Sequence, residues 1–390
     1  MFSSRLPSAL TENALGRAVA AKRARGEHLI DLTETNPTAV GLEYPAGVIE
    51  ALRDPGALTY VPDPLGLRSA RAAVAGAYEA RGRAVDPDRL VLTASTSEAY
   101  ALLFKLLTDT GDEVLVPQPS YPLFEMLTRL EGVRAAPYQL DPFGGWSIDR
   151  ESIERALTPA ARAILVVSPN NPTGSILRKT DRDWLAGLAA GRGLAIIADE
   201  VFEDYPLTPR PDASSFLGET RALTFTLGGL SKSAGLPQMK LGWIVVSGPP
   251  AMVGEAIARL ALIADTYLSV STPVQLAATR LIDAGRQVRR VIAARLAQNL
   301  GQLRSALDAR PSLGLIDPEG GWSAVIQVPS IMTEEQMTLR LVEDVSVLVH
   351  PGYFFDFPRE AFLVLSLLPE PAAFAEGLAR VLPLVAGDYL

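Results

Sequence analysis

Apolar positions along this chain follow two periods. Spacings of three and four predict helices over residues 12–25, 67–80 and 98–107. From residue 90 onward, short apolar runs alternate with further helical stretches. The runs 90–93, 113–117, 163–167, 194–198, 223–226 and 241–246 read as strands, and 123–130, 152–157 and 181–190 read as helices between them. Nearly unbroken apolar strands separated by helices predict a buried, mostly parallel sheet. Apolar residues at 288, 292, 296, 300, 303 and 307 then mark a long amphipathic helix over 287–307. Beyond it, 322–328, 337–344 and 362–367 suggest a smaller α+β unit.

Length sharpens this picture. At 390 residues the chain exceeds the ~250–300 at which single cores stop growing. The expected class is α/β: a large domain at 46–285 with a mostly parallel sheet flanked by helices, plus a small α+β domain built from 1–45 and 286–390. No repeat, low-complexity tract or long polar linker interrupts it. The net charge of −8 gives no bulk support for nucleic-acid binding. The absence of cysteine excludes disulfides, thiol nucleophiles and thiolate metal sites, and two distant histidines, His28 and His350, supply a metal site or a His-based triad poorly. The apolar runs are strand-sized, well short of the ~20 residues of a membrane span. Residues 1–10 lack the features of a signal peptide. The cytoplasm is the simplest location.

Ligands of open α/β sheets bind beyond the carboxyl ends of the strands. Suggestive residues cluster there. Lys232, one of five lysines, lies in a small-residue loop after a strand, where desolvation would lower its pKa. It reads equally as a surface lysine. Asp199 closes an apolar strand and needs a cation or hydrogen bonds. A protonated pyridine nitrogen would serve, as would a cap or a salt bridge. Asn171 lies in Ser-Pro-Asn-Asn-Pro-Thr-Gly and could meet a ring hydroxyl, and the bond to Pro172 is a candidate for the cis form. Ser95, Thr96 and Ser97 stand where a strand gives way to a helix, which makes either an anion site or an ordinary cap. Tyr121, in Pro-Ser-Tyr-Pro, could stack on a ring or simply pack.

Together and in this order, these motifs resemble the fold-type I, class I/II pyridoxal-phosphate aminotransferases over nearly the whole chain. The matching residues are Tyr60-x-Pro62 with Gly66, the Ser-Thr-Ser-Glu turn, Pro-Ser-Tyr-Pro, Asn-Asn-Pro-Thr-Gly, Asp199-Glu200-Val201, and Ser231-Lys232 with Gly235-Leu236-Pro237. The resemblance implies pyridoxal 5'-phosphate held by Lys232 as a Schiff base. Lys232 would also shuttle the proton between substrate carbon and cofactor. Asp199 would pair with the ring nitrogen, Asn171 contact the phenolic oxygen and Tyr121 stack on the ring. Thr96 and Ser97 would hold the phosphate. Tyr60 would reach the phosphate of a neighbouring subunit, which implies a homodimer with shared sites.

Three positions depart from the family pattern. Phe202 replaces a tyrosine that donates to the phenolic oxygen. Lys240 replaces a phosphate-binding arginine and lacks its planar fork. Val364 replaces the arginine that pairs with the substrate carboxylate. Asn36, Asn171 and Arg359 are candidates for that anchoring, and Phe354, Phe355 and Phe357 either line a side-chain pocket or belong to the core. No arginine occurs over 266–271, which disfavours a dicarboxylic substrate. The expected activity is transamination between an amino acid and a keto acid. A pyridoxal lyase is the close alternative, and a non-catalytic pyridoxal-binding regulator a remote one. No Gly-x-Gly-x-x-Gly follows a strand, and no Gly-x-Ser-x-Gly elbow or Ser-x-x-Lys pair occurs, which argues against a dinucleotide oxidoreductase and a serine hydrolase.

Overall fold

The computed structural model describes residues 2–7 and 12–387. The reading of residues 1–10 as lacking a signal peptide falls partly outside that range. Eight strands form the larger sheet: Leu90–Thr93 (β1), Glu113–Gln118 (β2), Arg134–Asp141 (β3), Ser147–Ile148 (β4), Ala161–Val167 (β5), Ala195–Asp199 (β6), Thr224–Gly229 (β7) and Gly242–Ser247 (β8). Their spatial order is β1-β8-β7-β6-β5-β2-β3-β4. Neighbours from β7 through β3 run parallel, whereas β8 is antiparallel to both β1 and β7, and β4 is antiparallel to β3. The carboxyl ends of β1, β2, β5, β6 and β7 therefore share one edge.

Side chains alternate across this sheet with the period of a strand. Ile164 and Ile196 enter one apolar cluster with Leu185 and Ala189, while Leu165 and Ile197 enter another with Leu103, Val253 and Leu260. Burial on both faces explains the unbroken apolar runs of β5 and β6. From β2 the chain crosses outward to β3 and then returns to β5 on the other side of β2. The gap between β2 and β5 is thus the topological switch point, where open sheets form ligand crevices.

Four more strands, Gly314–Ile316 (β9), Ser323–Gln327 (β10), His350–Pro351 (β11) and Phe362–Ser366 (β12), make an antiparallel sheet in the order β9-β10-β12-β11. A short parallel pair joins Ile30 and Asp31 to Val347 and Leu348. The principal helices around the two sheets are Ala14–Ala24 (α1), Arg68–Glu79 (α2), Thr96–Leu107 (α3), Leu123–Leu130 (α4), Lys179–Arg192 (α5), Pro250–Asp265 (α6), Thr272–Asp308 (α7), Glu334–Val345 (α8) and Pro371–Ala386 (α9). Helix α7 has 37 residues and extends well upstream of the predicted 287–307. Its early positions Val274, Ala277 and Leu281 pack with Leu230 and Trp243, and its later ones, from Val288 to Leu307, pack with β10, β12 and α9.

Candidate active site

Five strand ends and one segment of the smaller sheet converge on a cavity of ≈ 180 Å³. It is lined by Thr96, Ser97 and Tyr100 from α3, Tyr121 after β2, Asn171 after β5, Asp199 and Phe202 at the end of β6, and Lys232 after β7. Trp322 and Ser323 close it from the smaller sheet, and Leu123, Phe124 and Leu127 of α4 form an apolar wall.

Lys232 rides on a single helical turn, Leu230–Ser233, that follows β7 directly. Desolvation lowers its pKa to about 8, against the opposing pull of Asp199. Its Nζ stands 4.6 Å from the Trp322 ring centre and 5.3 Å from that of Phe202. Asp199 is buried. Burial pushes its carboxyl up, and three groups pull it back: the Tyr100 hydroxyl, the Val201 amide and Lys232. Tyr100 donates to Oδ2 at 2.6 Å, and Val201 N–H donates to Oδ1 at 3.1 Å. Sequence reasoning missed Tyr100. It lies four residues after Thr96 on the same helix, so its spacing alone places it on the same face.

The start of α3 separates two roles that the sequence left merged. Ser95 is the N-cap, with its Oγ accepting from Glu98 N–H at 3.2 Å. Glu98 Oε2 in turn accepts from Ala94 N–H at 2.6 Å and from the Ser269 hydroxyl at 2.7 Å. Ser95 is outside the cavity lining and serves capping. Thr96 and Ser97 line the cavity at the first helical turn, whose N–H groups have no intrahelical partners.

In the β5 loop, Asn170 is the tied residue. Its Oδ1 accepts from Thr173 N–H and Oγ1, and its Nδ2 donates to the Pro119 carbonyl at 3.5 Å. That arrangement presents Asn171 to the cavity, and the Asn171–Pro172 bond is cis as expected. Gly174 has φ +72°, and a Cβ there would come within 2.7 Å of the Gly320 carbonyl. The loop is therefore clamped against the segment leading to Trp322.

The remaining sequence candidates lie elsewhere. Asn36 is exposed, and its Oδ1 accepts from Thr38 N–H and Oγ1, while neighbouring Thr35 lines the cavity. Lys240 is exposed in the left-handed region at φ 51°, just before β8, and Gly242 packs beside Thr93 and Ser95. Tyr60 is exposed, on a shallow groove shared with Glu98 and Tyr267. Arg359 is exposed over the rings of Phe143 and Phe362. Phe355 and Phe357 are core, packed with Trp146 and Phe362. Val364 is buried in the same cluster.

The donor set fits pyridoxal 5'-phosphate. A desolvated amine faces a buried carboxylate across one cavity, with a side-chain amide between β2 and β5, an aromatic at the mouth and an unspent helix N-terminus beside them. A site of this kind on this sheet defines a pyridoxal-phosphate enzyme of the aminotransferase fold.

Comparison with known proteins agrees. Residues 27–371 match the model of the family aminotransferase class I and II, and the chain belongs to that family. It is 29% identical to an alanine aminotransferase of Mycobacterium tuberculosis, over 92% of this chain and 86% of the relative. It is 26% identical to the glutamate-pyruvate aminotransferase AlaA of Escherichia coli, over 93% of this chain and 92% of the relative. The crystal structure of an aminotransferase from Escherichia coli superposes with a TM-score of 0.86 at 26% identity, covering 98% of both chains. The protein is a pyridoxal-phosphate-dependent aminotransferase that transfers an amino group between amino and keto acids.

Proposed function

We propose that Lys232 is the residue that bonds the cofactor and then moves the substrate's α-proton. The observation that carries this reading is the desolvated Lys232 amine, with a pKa near 8, in one cavity with buried Asp199. Such an amine is neutral in useful proportion close to neutral pH, which suits both nucleophilic attack and proton transfer. Asp199 is oriented by Tyr100 and the Val201 amide, and it would hold a proton on the ring nitrogen of the bound cofactor. Bound there, the cofactor supplies an electron sink for the charge left when the α-carbon loses its proton. Asn171 would meet the ring oxygen and Tyr121 would cover the ring face. Thr96, Ser97 and the first N–H groups of α3 would take the phosphate. Trp322 and the apolar wall of α4 exclude water from the reacting atoms.

The donor in this reading is a monocarboxylic amino acid. The name of one relative points to alanine, and among the described residues no arginine lines the cavity to receive a second carboxylate; the glutamate-pyruvate relative pairs a monocarboxylic partner with a dicarboxylic one. The proposed assembly is a two-fold dimer in which Tyr60 of each subunit reaches its neighbour's phosphate site. The proposed division of the chain remains 46–285 against 1–45 with 286–390, and the proposed location is the cytoplasm. Among the described residues, no helix is long and apolar enough to cross a membrane.

The test is Lys232→Ala. The variant is expected to lose the borohydride-reducible visible absorbance and at least ~10³-fold in turnover, while keeping its fold by circular dichroism. Retained reducible absorbance would move the assignment to Lys240.

A further inference from the structure

Asp199 stands under two opposing influences. It is buried, and burial favours its neutral acid. A neutral acid could not pair with a protonated ring nitrogen. Against burial stand two hydrogen bonds, one on each oxygen. Val201 N–H donates to Oδ1 at 3.1 Å, and the Tyr100 hydroxyl donates to Oδ2 at 2.6 Å. Hydrogen bonds donated to a carboxylate favour its charged form.

The amide is fixed by the backbone, so the variable donor is Tyr100. Its side chain is committed to that role. Tyr100 is buried, and its ring packs edge-on against Phe124 with centres 5.2 Å apart. Burial first, and then the Asp199 charge, hold its hydroxyl well above the ordinary tyrosine range, so the hydroxyl keeps its proton. Among the described residues, Asp199 Oδ2 is the one hydrogen-bond partner of that hydroxyl. The other charged group acting on Asp199 is Lys232, which the proposed function commits to the cofactor.

We infer that Tyr100 is a positioning residue for the ring proton: its hydrogen bond keeps Asp199 anionic, so that the proton shared with the cofactor stays on the ring nitrogen. This inference rests on the proposed meeting of Asp199 with that nitrogen. It goes further, because it gives a side chain of α3 control over the strength of the electron sink. A hydrogen bond to a charged group moves such an equilibrium by about tenfold to a hundredfold. Without it, one proton passes from the ring nitrogen to an Asp199 oxygen, and both groups become neutral. A neutral ring is a weaker sink for the charge left on the α-carbon.

The experiment loads the protein with pyridoxal 5'-phosphate labelled with nitrogen-15 in the ring and records the nitrogen resonance at pH 7. The visible band and melting temperature are taken on the same samples. Free labelled cofactor in acid and in alkali marks the protonated and neutral positions. The wild-type holoenzyme is expected at the protonated position. Tyr100→Phe is expected to move toward the neutral one, by about tenfold or more in proton ratio, with band and melting temperature kept. Introducing 4-aminophenylalanine at position 100, a weaker donor of the same shape, should give an intermediate position, and it decides the matter if the phenylalanine variant fails to fold. A resonance unmoved from the wild type in either variant overturns the inference, as does a wild type at the neutral position. A resonance still at the protonated position in Asp199→Asn refutes the pairing of Asp199 with the ring instead. A wild-type protein lacking the visible band refutes the cofactor reading, and the inference falls with it.

Discussion

Phe202 places a bare ring where this family usually carries a tyrosine hydroxyl. Tyr205, three residues further on, carries a hydroxyl, but it donates to the Lys232 carbonyl at 2.6 Å. A hydroxyl on the ring oxygen favours release of the neighbouring shared proton, so without one that proton is held to higher pH. The visible band of the holoenzyme should therefore titrate at a higher midpoint in the wild type than in Phe202→Tyr. Matching midpoints in a spectral pH titration would refute this. The residues at strand ends were legible because chemistry and position coincided: Lys232, Asp199, Asn171, Thr96 and Ser97 all line one cavity. Tyr100 was not, because a tyrosine inside an apolar helix looks like core until its hydroxyl is seen on Asp199. Trp322 was hidden for a related reason. Its sequence context marks a strand, and only the three-dimensional packing brings its ring beside the Lys232 amine.

Among the elements, the connection from β6 to β7 shows how charge fixes a turn. Glu219 accepts from the Thr220 and Arg221 amides and from the Arg221 guanidinium, and it pairs with Arg182 of α5 at 3.0 Å. The hydrogen bond from Arg221 leads in lowering its pKa to about 2, from the ordinary 4.5. A depressed carboxylate contributes stability that is complete above its unfolded pKa and is lost as pH falls through the folded one. The window here is therefore pH 4.5 down to about 2. Glu219→Gln should be about 2 kcal/mol less stable at pH 7 and should lose less than the wild type across that window, as read by urea unfolding. Equal slopes for the two proteins would count against it. Element boundaries in the sequence were good where burial was two-sided, as in β1, β5 and β6. Strand β3 escaped notice because it carries Arg134 and Pro137 and is half-exposed. The first half of α7 was overlooked because its buried face is built partly from alanines, Ala277 and Ala278, which give weak periodic contrast.

At the scale of the whole molecule, the proposed dimer bears on several large apolar side chains that a single chain leaves exposed. Leu58 is 93% exposed, Tyr60 73%, Tyr267 53% and Leu262 74%. Tyr60 and Tyr267 share a groove with Glu98 and Leu102 of α3. In the proposed dimer these exposed apolar groups would be covered by the partner subunit. Sedimentation should give twice the chain mass of 41.7 kDa, and Leu58→Asp combined with Val61→Asp should shift the protein toward monomer while weakening cofactor retention. A wild-type protein sedimenting as a single chain would exclude the shared site. The overall class was legible from the alternation of strands and helices. The spatial order of the strands was not, since nothing in a local pattern says that the chain crosses back from β3 to β5.

The 37 residues of α7 have one last implication. Gly285 lets this helix press against Ala234, where a Cβ would approach Ala234 Cβ within 2.3 Å, and Val288 packs against Gly235. The rod thus touches the Lys232 turn at its middle, while its two halves complete two different cores. Neither core can melt without pulling away a wall of the other, so heat should disassemble the protein in one cooperative event. A ligand bonded to Lys232 should therefore raise the melting temperature of both cores together.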